Sequence, residues 1–306
     1  MATMLKVNEN GVIVRSEALD TGSTDADIKN AVRSGEIVIA ARGRYVPAAG
    51  LPEVRWKREQ EIYRRRCLCE AAEGAVLTHQ SAAAILGLAM LNPDLRRIHV
   101  GVTRGSSGKV RATRHIHCGL DMDDVVVVDG VAVTSLERTA VDVALVSDFA
   151  GALAVFDSAL RLGATHESLE AAIDGRRRRG SVRVRQALRH ADGGAANPGE
   201  SWSRAQMIQN GLPAAVLQRE VEVEGVLYYS DFEWDGLVIG EFDGEGKYLN
   251  NRRPGETIAQ AVIREKNREN ALKDMGFDLV RWDWPVLTSH GVADRVIPHL
   301  RRAGLY

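Results

Sequence analysis

The stretch Tyr228–Tyr248, YYSDFEWDGLVIGEFDGEGKY, decides how the last part of this 306-residue chain is read. Two short apolar-and-acidic runs flank Asp235-Gly236, a turn dipeptide, and predict a β-hairpin. Each run carries acids where a buried strand would prefer Val or Ile: Asp231 on the first, Glu241 and Asp243 on the second. An unpaired buried carboxylate is costly. These acids must therefore sit at a strand end in water, pair with a cation, or hold a metal. Side chains alternate faces along a strand, so loop parity matters. A two-residue turn would pair Asp231 with Gly240 and send Glu241 to the other face, whereas an odd loop pairs Asp231 with Glu241. The odd loop is expected, because it lets the two carboxylates converge. Asp243 shares the face of Glu241.

Working outward, a linker-like run Ala191–Gly199 precedes a helix that ends near Gly211, with Glu200 in its first turn as a fourth acid. Strands are expected over Gln218–Val223, Val226–Trp234 and Leu237–Asp243. A long helix follows over Glu256–Met275, stopped by Gly276, then a strand over Leu279–Trp284. Three or four oxygen ligands suit Mg²⁺ or Mn²⁺, which can polarise a scissile phosphate and lower the pKa of a bound water. A solvated, chemically idle hairpin end fits the spacing equally well.

Resemblance adds to this reading. The order helix, three-stranded meander, helix, strand is similar to the core of the PD-(D/E)XK nucleases. Glu200-Ser-x-x-Arg204, Gly211-Leu212-Pro213, Gln218 and Asp231-x9-Glu241-Phe-Asp243-Gly244 resemble the small family related to very-short-patch-repair endonucleases. So do Glu265-Lys266-x-Arg268-Glu269-x2-Leu272-x3-Gly276 and Val280-Arg281-Trp282. The resemblance implies a site of Glu200, Asp231, Glu241 and Asp243, with Mg²⁺ (or Mn²⁺) on Asp231, Glu241 and Asp243. It implies hydrolysis of phosphodiesters in double-stranded DNA. One departure matters: the lysine of the E-x-K motif is here Asp243. Lys247 and Lys266 are the candidates to replace it, with Lys247 placed to stabilise charge. Without such a lysine the fold binds DNA and leaves it intact.

At the N-terminus, a short helix over Ser16–Leu19 is followed by Thr24, a cap with Asp27 at the capping-box position, and a helix stopped by Gly35. Strands over Ile37–Ala40 and Arg44–Val46 complete the order of a winged helix-turn-helix. Lys29, Asn30 and Arg33 then face DNA from the second helix, and Arg42 and Arg44 from the wing. Asp25 and Asp27 argue the other way, since they repel phosphates. The string ALDTGSTDADIKNAVRSGEIVIAARGRYV resembles the N-terminal domain of the AbiEi antitoxins, DNA-binding proteins of abortive-infection toxin–antitoxin systems. That resemblance implies a role in phage defence and a cognate toxin as partner, with transcriptional repression as the alternative to cleavage.

Between these ends the chain alternates strands and helices. The expected organisation is α/β and multidomain: a winged helix-turn-helix over residues 1–55, a middle α/β domain over 56–195, and a restriction-endonuclease-like α/β domain over 196–306. His79 reads as a structural residue beside the cap Thr78, because no other ligand type lies at ligand spacing in the local sequence. Gly105-Ser106-Ser107-Gly108-Lys109 imitates a phosphate loop but lacks its first Gly and its final Ser or Thr. Arg176–Arg179 is a basic run, either a solvated loop or a phosphate-contacting strip. A net charge of −1 excludes binding driven by total charge, though local basic patches remain compatible. Cys67, Cys69 and Cys118 do not form a metal or redox spacing and are expected as free thiols. No apolar run reaches the roughly 18 residues of a membrane span. The expected setting is the cytoplasm.

Overall fold

Thr24 opens the first long helix by reciprocal capping: its hydroxyl accepts from the Asp27 amide at 3.2 Å, and Asp27 accepts from the Thr24 amide at 2.8 Å. A computed structural model describes residues 5–71, 74–103, 108–174, 180–223, 225–244 and 255–306. Its contacts fall into two units, residues 1–88 with 93–143, and residues 89–92 with 144–306.

The first unit begins with β1 (Ile13–Val14), α1 (Arg15–Asp20), α2 (Asp25–Ser34), β2 (Ile37–Ala41) and β3 (Arg44–Pro47). Gly35 ends α2 in the left-handed region, which costs glycine nothing. The strands form an antiparallel sheet in the order β1-β3-β2. Ile28 and Ala31, one face of α2, pack with Ile13, Ala18 and Ile37.

After α3 (Arg55–Ala71) come β4 (Val76–Leu77), α4 (His79–Leu86), β5 (Ile98–Thr103), β6 (Lys109–Val110), β7 (Arg114–Leu120), β8 (Val125–Val128), β9 (Val131–Thr134) and α5 (Leu136–Val146). The six strands order as β6-β7-β5-β4-β9-β8, with β5 parallel to β7 and β4 parallel to β9. Tyr63 and Cys67 of α3 pack on Leu77, Ile98, Val100 and Val133. Burying Tyr63 demands partners for its hydroxyl. It donates to the Arg97 carbonyl at 2.8 Å and lies 2.7 Å from Ser81 Oγ.

The second unit opens with α6 (Phe149–Arg161), α7 (His166–Asp174), α8 (Ser181–His190) and α9 (Pro198–Gln209). A sheet follows of β10 (Val216–Val223), β11 (Val226–Trp234), β12 (Val238–Asp243) and β13 (Asp278–Asp283), and α10 (Ile258–Asp274) lies between the last two in sequence. The sheet runs β10-β11-β12-β13, antiparallel except for the parallel pair β12–β13. Two helices close the chain, α11 (Trp284–Thr288) and α12 (Val292–Arg302). One face of the sheet holds Phe232, Trp234, Phe242 and Trp282 in a core with Leu287, Val296 and Leu300. The other packs Ile239 and Val221 against Leu272 of α10. Gly199 lets α9 approach closely, because a Cβ there would lie 2.2 Å from Phe242.

The sequence places a boundary at 195/196, but the contacts run through it. Asp157 of α6 is fully buried and pairs with Arg204 of α9 at 2.8 Å. Arg204 also donates to the His190 carbonyl at 2.5 Å, and Asp157 accepts from the Asp192 amide at 2.8 Å. The expected linker is therefore spanned by one ion pair, with its acid before the run and its arginine after it. The three cysteines are free thiols, Cys67 and Cys69 buried and Cys118 exposed. Among the described residues no helix is long and apolar enough to cross a membrane.

Candidate functional site

The hairpin has the odd loop. Trp234 pairs with Val238 across three residues, Asp235–Leu237, and Phe232 pairs with Gly240. The same register sets Asp231 across from Glu241. Asp235 and Gly236 both take positive φ, 50° and 70°, which the Asp-Gly pair tolerates.

The acids have acquired partners that their spacing did not announce. Glu241 is 2% exposed, and Arg268 of α10 grips both its oxygens, at 3.0 and 3.4 Å. Arg281 of β13 grips Asp243 at 2.8 and 2.9 Å. Glu265 accepts from both arginines, at 2.7 and 3.0 Å. Burial opposes the charge of Arg268, but Glu241 and Glu265 outweigh it and raise the guanidinium's pKa. Asp231 accepts from the Phe242 amide at 2.8 Å. Glu200, itself buried, accepts from the Ala196 amide at 2.7 Å and from Gln218 at 3.3 Å. Burial first, then the charge of Asp231, pushes its carboxyl up to about 8. Lys247 lies outside the described residues, and Lys266 is exposed on α10.

A small hard cation needs several negative oxygens converging on it. Among the described residues these carboxylates do not bring three oxygens within ligand reach of one another. With Glu241 and Asp243 bridged to guanidinium groups, the set as arranged does not fit Mg²⁺ or Mn²⁺. Sequence reasoning found the acids through strand alternation. It missed the arginines as partners, although Arg268 and Arg281 stood in the motif.

On the N-terminal element, Lys29, Asn30 and Arg33 are exposed along α2, and Arg42 is exposed in the β2–β3 turn. Arg33 donates to Asn30 at 2.7 Å. Arg44 is turned inward and pairs with Glu70 of α3 at 3.1 Å, so it is held in an internal ion pair. The acids that weighed against phosphate contact are occupied: Asp25 pairs with Arg15 at 2.6 Å, and Asp27 is the capping-box acid.

A second constellation lies in the first unit. His79 is buried, and a nitrogen of its ring lies within 4.8 Å of one from His99 and one from His117. His79, which has no ligand type near it in the local sequence, gains its neighbours through topology. The parallel pairing of β5 and β7 sets His99 beside His115 and Gly101 beside His117, and β4 delivers His79 to the same place. His99 Nδ1 and His117 Nε2 are 3.0 Å apart, and the rings of His79 and His117 stack at 3.7 Å. Burial first, then His115, holds His99 down to about 4, so its imidazole is neutral at neutral pH. Asp142 of α5 approaches His79 Nδ1 at 4.0 Å and pairs with Arg138 at 2.6 Å. Pairwise imidazole distances cannot be read from residues some twenty positions apart; alternation of His115 and His117 was the one local signal.

Among the described residues these features define a mixed α/β chain with three sheets and two clusters of ionisable groups. Residues 74–190 match the family model described as the AbiEi antitoxin C-terminal domain. The matched model is that of the family's C-terminal domain, and it begins beyond the first fifty residues, on which the N-terminal resemblance rests. Two proteins of Mycobacterium tuberculosis, "Uncharacterized protein MT2308" of strain CDC 1551 / Oshkosh and "Uncharacterized protein Rv2248" of strain ATCC 25618 / H37Rv, are each 32% identical over 186 residues. The aligned segment covers 58% of this chain and 64% of each relative. The crystal structure of the RV2827C protein from Mycobacterium tuberculosis aligns with a TM-score of 0.34 and 16% identity, over 69% of this chain and 83% of that one. A superposition that loose carries no argument.

Proposed function

We propose that this chain is a DNA-binding regulator of the antitoxin type, with a cognate toxin as its partner in phage defence. The carrying observation is the exposed row Lys29, Asn30 and Arg33 on α2, followed by a ribbon whose turn exposes Arg42. In a winged helix-turn-helix these positions address the major groove and the backbone. The antitoxin-domain match over residues 74–190 supports the same reading. The C-terminal sheet serves in it as a scaffold, because guanidinium groups hold the acids a nuclease would use.

The test is a fluorescence-anisotropy titration of the full chain on DNA from upstream of its own gene, in EDTA. Binding is expected to persist without divalent metal and to weaken steeply with salt as counterions are released. Lys29→Ala with Arg33→Ala and Arg42→Ala should remove most of it. Undiminished binding by that triple variant would overturn the assignment of the surface.

A second reading, a metal-dependent deoxyribonuclease, draws on the placement of Asp231 across from Glu241 with Glu200 nearby. It predicts plasmid nicking in Mg²⁺ or Mn²⁺ that Asp231→Ala abolishes. Intact plasmid after prolonged incubation removes it.

A further inference from the structure

The imidazoles of the first unit form a donor set of a kind the acids do not. One nitrogen each from His79, His99 and His117 lies within 4.8 Å of the other two. Ligand nitrogens on a tetrahedral zinc ion stand about 3.3 Å apart, given Zn–N bonds of about 2.0–2.1 Å. The 3.0 Å separation of His99 Nδ1 and His117 Nε2 is already of that size. Two neutral imidazole nitrogens this close share one hydrogen bond, and an ion would take the place of its proton by accepting a lone pair from each. Imidazole is a borderline donor that prefers late first-row divalent ions to Mg²⁺ or Ca²⁺.

The surrounding structure is built to hold these rings. His99 and His117 are fixed by the parallel pair β5–β7, a rigid element, and His79 by the start of α4. The Thr78 amide donates to the His99 carbonyl at 3.1 Å, which ties the His79 segment to the strand bearing His99. Gly101 keeps the sheet face open beneath Thr78, since a Cβ there would lie 2.8 Å from Thr78 Cγ2. His79 itself adopts φ 49°, an unfavourable backbone for a residue with a Cβ. Strain of this sort is kept where the local structure imposes a specific side-chain direction. Behind the ring, Thr78 Oγ1 lies 3.1 Å from His79 Nδ1 and Asp142 Oδ2 lies 4.0 Å from it. Polar groups so placed orient metal-bound imidazoles in other proteins. Arg138 bridges Asp142 to Asp124, at 2.6 and 2.5 Å, and so holds that carboxylate in place.

We propose that His79, His99 and His117 form a binding site for a divalent late transition metal, zinc first among them. Three protein donors leave a coordination position for water or for a donor from a partner. The ion would join the β4–α4 junction, β5 and β7, and so tie a site in the antitoxin-like segment to metal supply.

The test uses the full chain, stripped with a chelating resin and equilibrated by dialysis with Zn²⁺ or Co²⁺. One equivalent should remain bound at micromolar metal, and the cobalt form should show the intense visible bands of a low-coordinate site. His99→Gln and His117→Gln should each weaken uptake by about 100-fold or more, since each removes a ligand. His115→Gln removes a ring that lies tilted against His117 at 3.9 Å but outside the donor set, and this variant should bind as the parent does. In case a variant does not fold, long-range ¹H–¹⁵N spectra of the parent chain read the ligands directly. One equivalent of zinc should shift three imidazoles. The proposal is overturned by no stoichiometric uptake, by uptake that both ligand variants retain, by equal loss in His115→Gln, or by fewer than three shifted imidazoles.

Discussion

The carboxylates of the second unit and the imidazoles of the first solve opposite problems of burial. Glu241 and Asp243 are carboxylates drawn into a sheet, and the chain answers with guanidinium groups from α10 and β13, while Asp231 accepts from a backbone amide. In the imidazole cluster burial disfavours the charged form of His99, and the rings of His79, His99 and His117 stack on one another. A cluster neutralised by its own protein has little left to offer a cation. A cluster of imidazole donors can still accept one.

The sharpest way to break the contrast is Arg268→Ala. It leaves Glu241 buried without its guanidinium, and removing one partner of a buried pair costs about 3–5 kcal/mol. Urea unfolding should show a loss of that order, and a loss under ~1 kcal/mol would mean that solvent reaches Glu241. On the imidazole side, Gly101→Ala forces the added methyl against Thr78, and overpacking of this kind costs about 1–3 kcal/mol. The same denaturant series checks it, and an unchanged midpoint would show that the His79 segment gives way freely. His99→Gln in the metal-free chain should cost only about 1 kcal/mol, the worth of one hydrogen bond. A loss as large as that of Arg268→Ala would erase the distinction between the clusters.

The pH dependence gives the clearest sign. His99 falls from its ordinary 6.5 to about 4 in the folded chain. The unfolded chain thus binds more protons between those values, and acidification through that window destabilises the fold. Glu200 rises from 4.5 to about 8, so the folded chain binds more protons there, and its contribution is lost as pH rises through that window. Melting temperatures across pH 4 to 8 should therefore shift one way for His99→Gln against the parent and the opposite way for Glu200→Gln. Parallel shifts in the two variants would contradict the assigned causes.

What could be read in advance follows from the range of the interaction. The capping box of Thr24 and Asp27, the stop at Gly35 and the parity of the hairpin loop depend on residues a few positions apart, and all are present. The acids were visible because a hairpin is local. The arginine partners were not, because Arg268 reaches Glu241 across 27 positions through the packing of α10. Arg44 shows the same limit: the order of elements puts it on the wing, and Glu70 of α3, 26 positions away, turns it inward. The histidines were hidden by the parallel pairing of β5 with β7, a contact that no local period encodes.

The ion pair between Asp157 and Arg204 has a practical consequence for anyone who cuts this chain. A fragment beginning at the glycine-rich run near residue 193 would keep the arginine and lose the acid. The complementary fragment would keep a fully buried carboxylate with no guanidinium to meet it. Neither piece inherits a finished interior. The boundary that composition advertises is thus a poor place for the scissors, and a cut at the start of the second unit keeps both halves of the pair together.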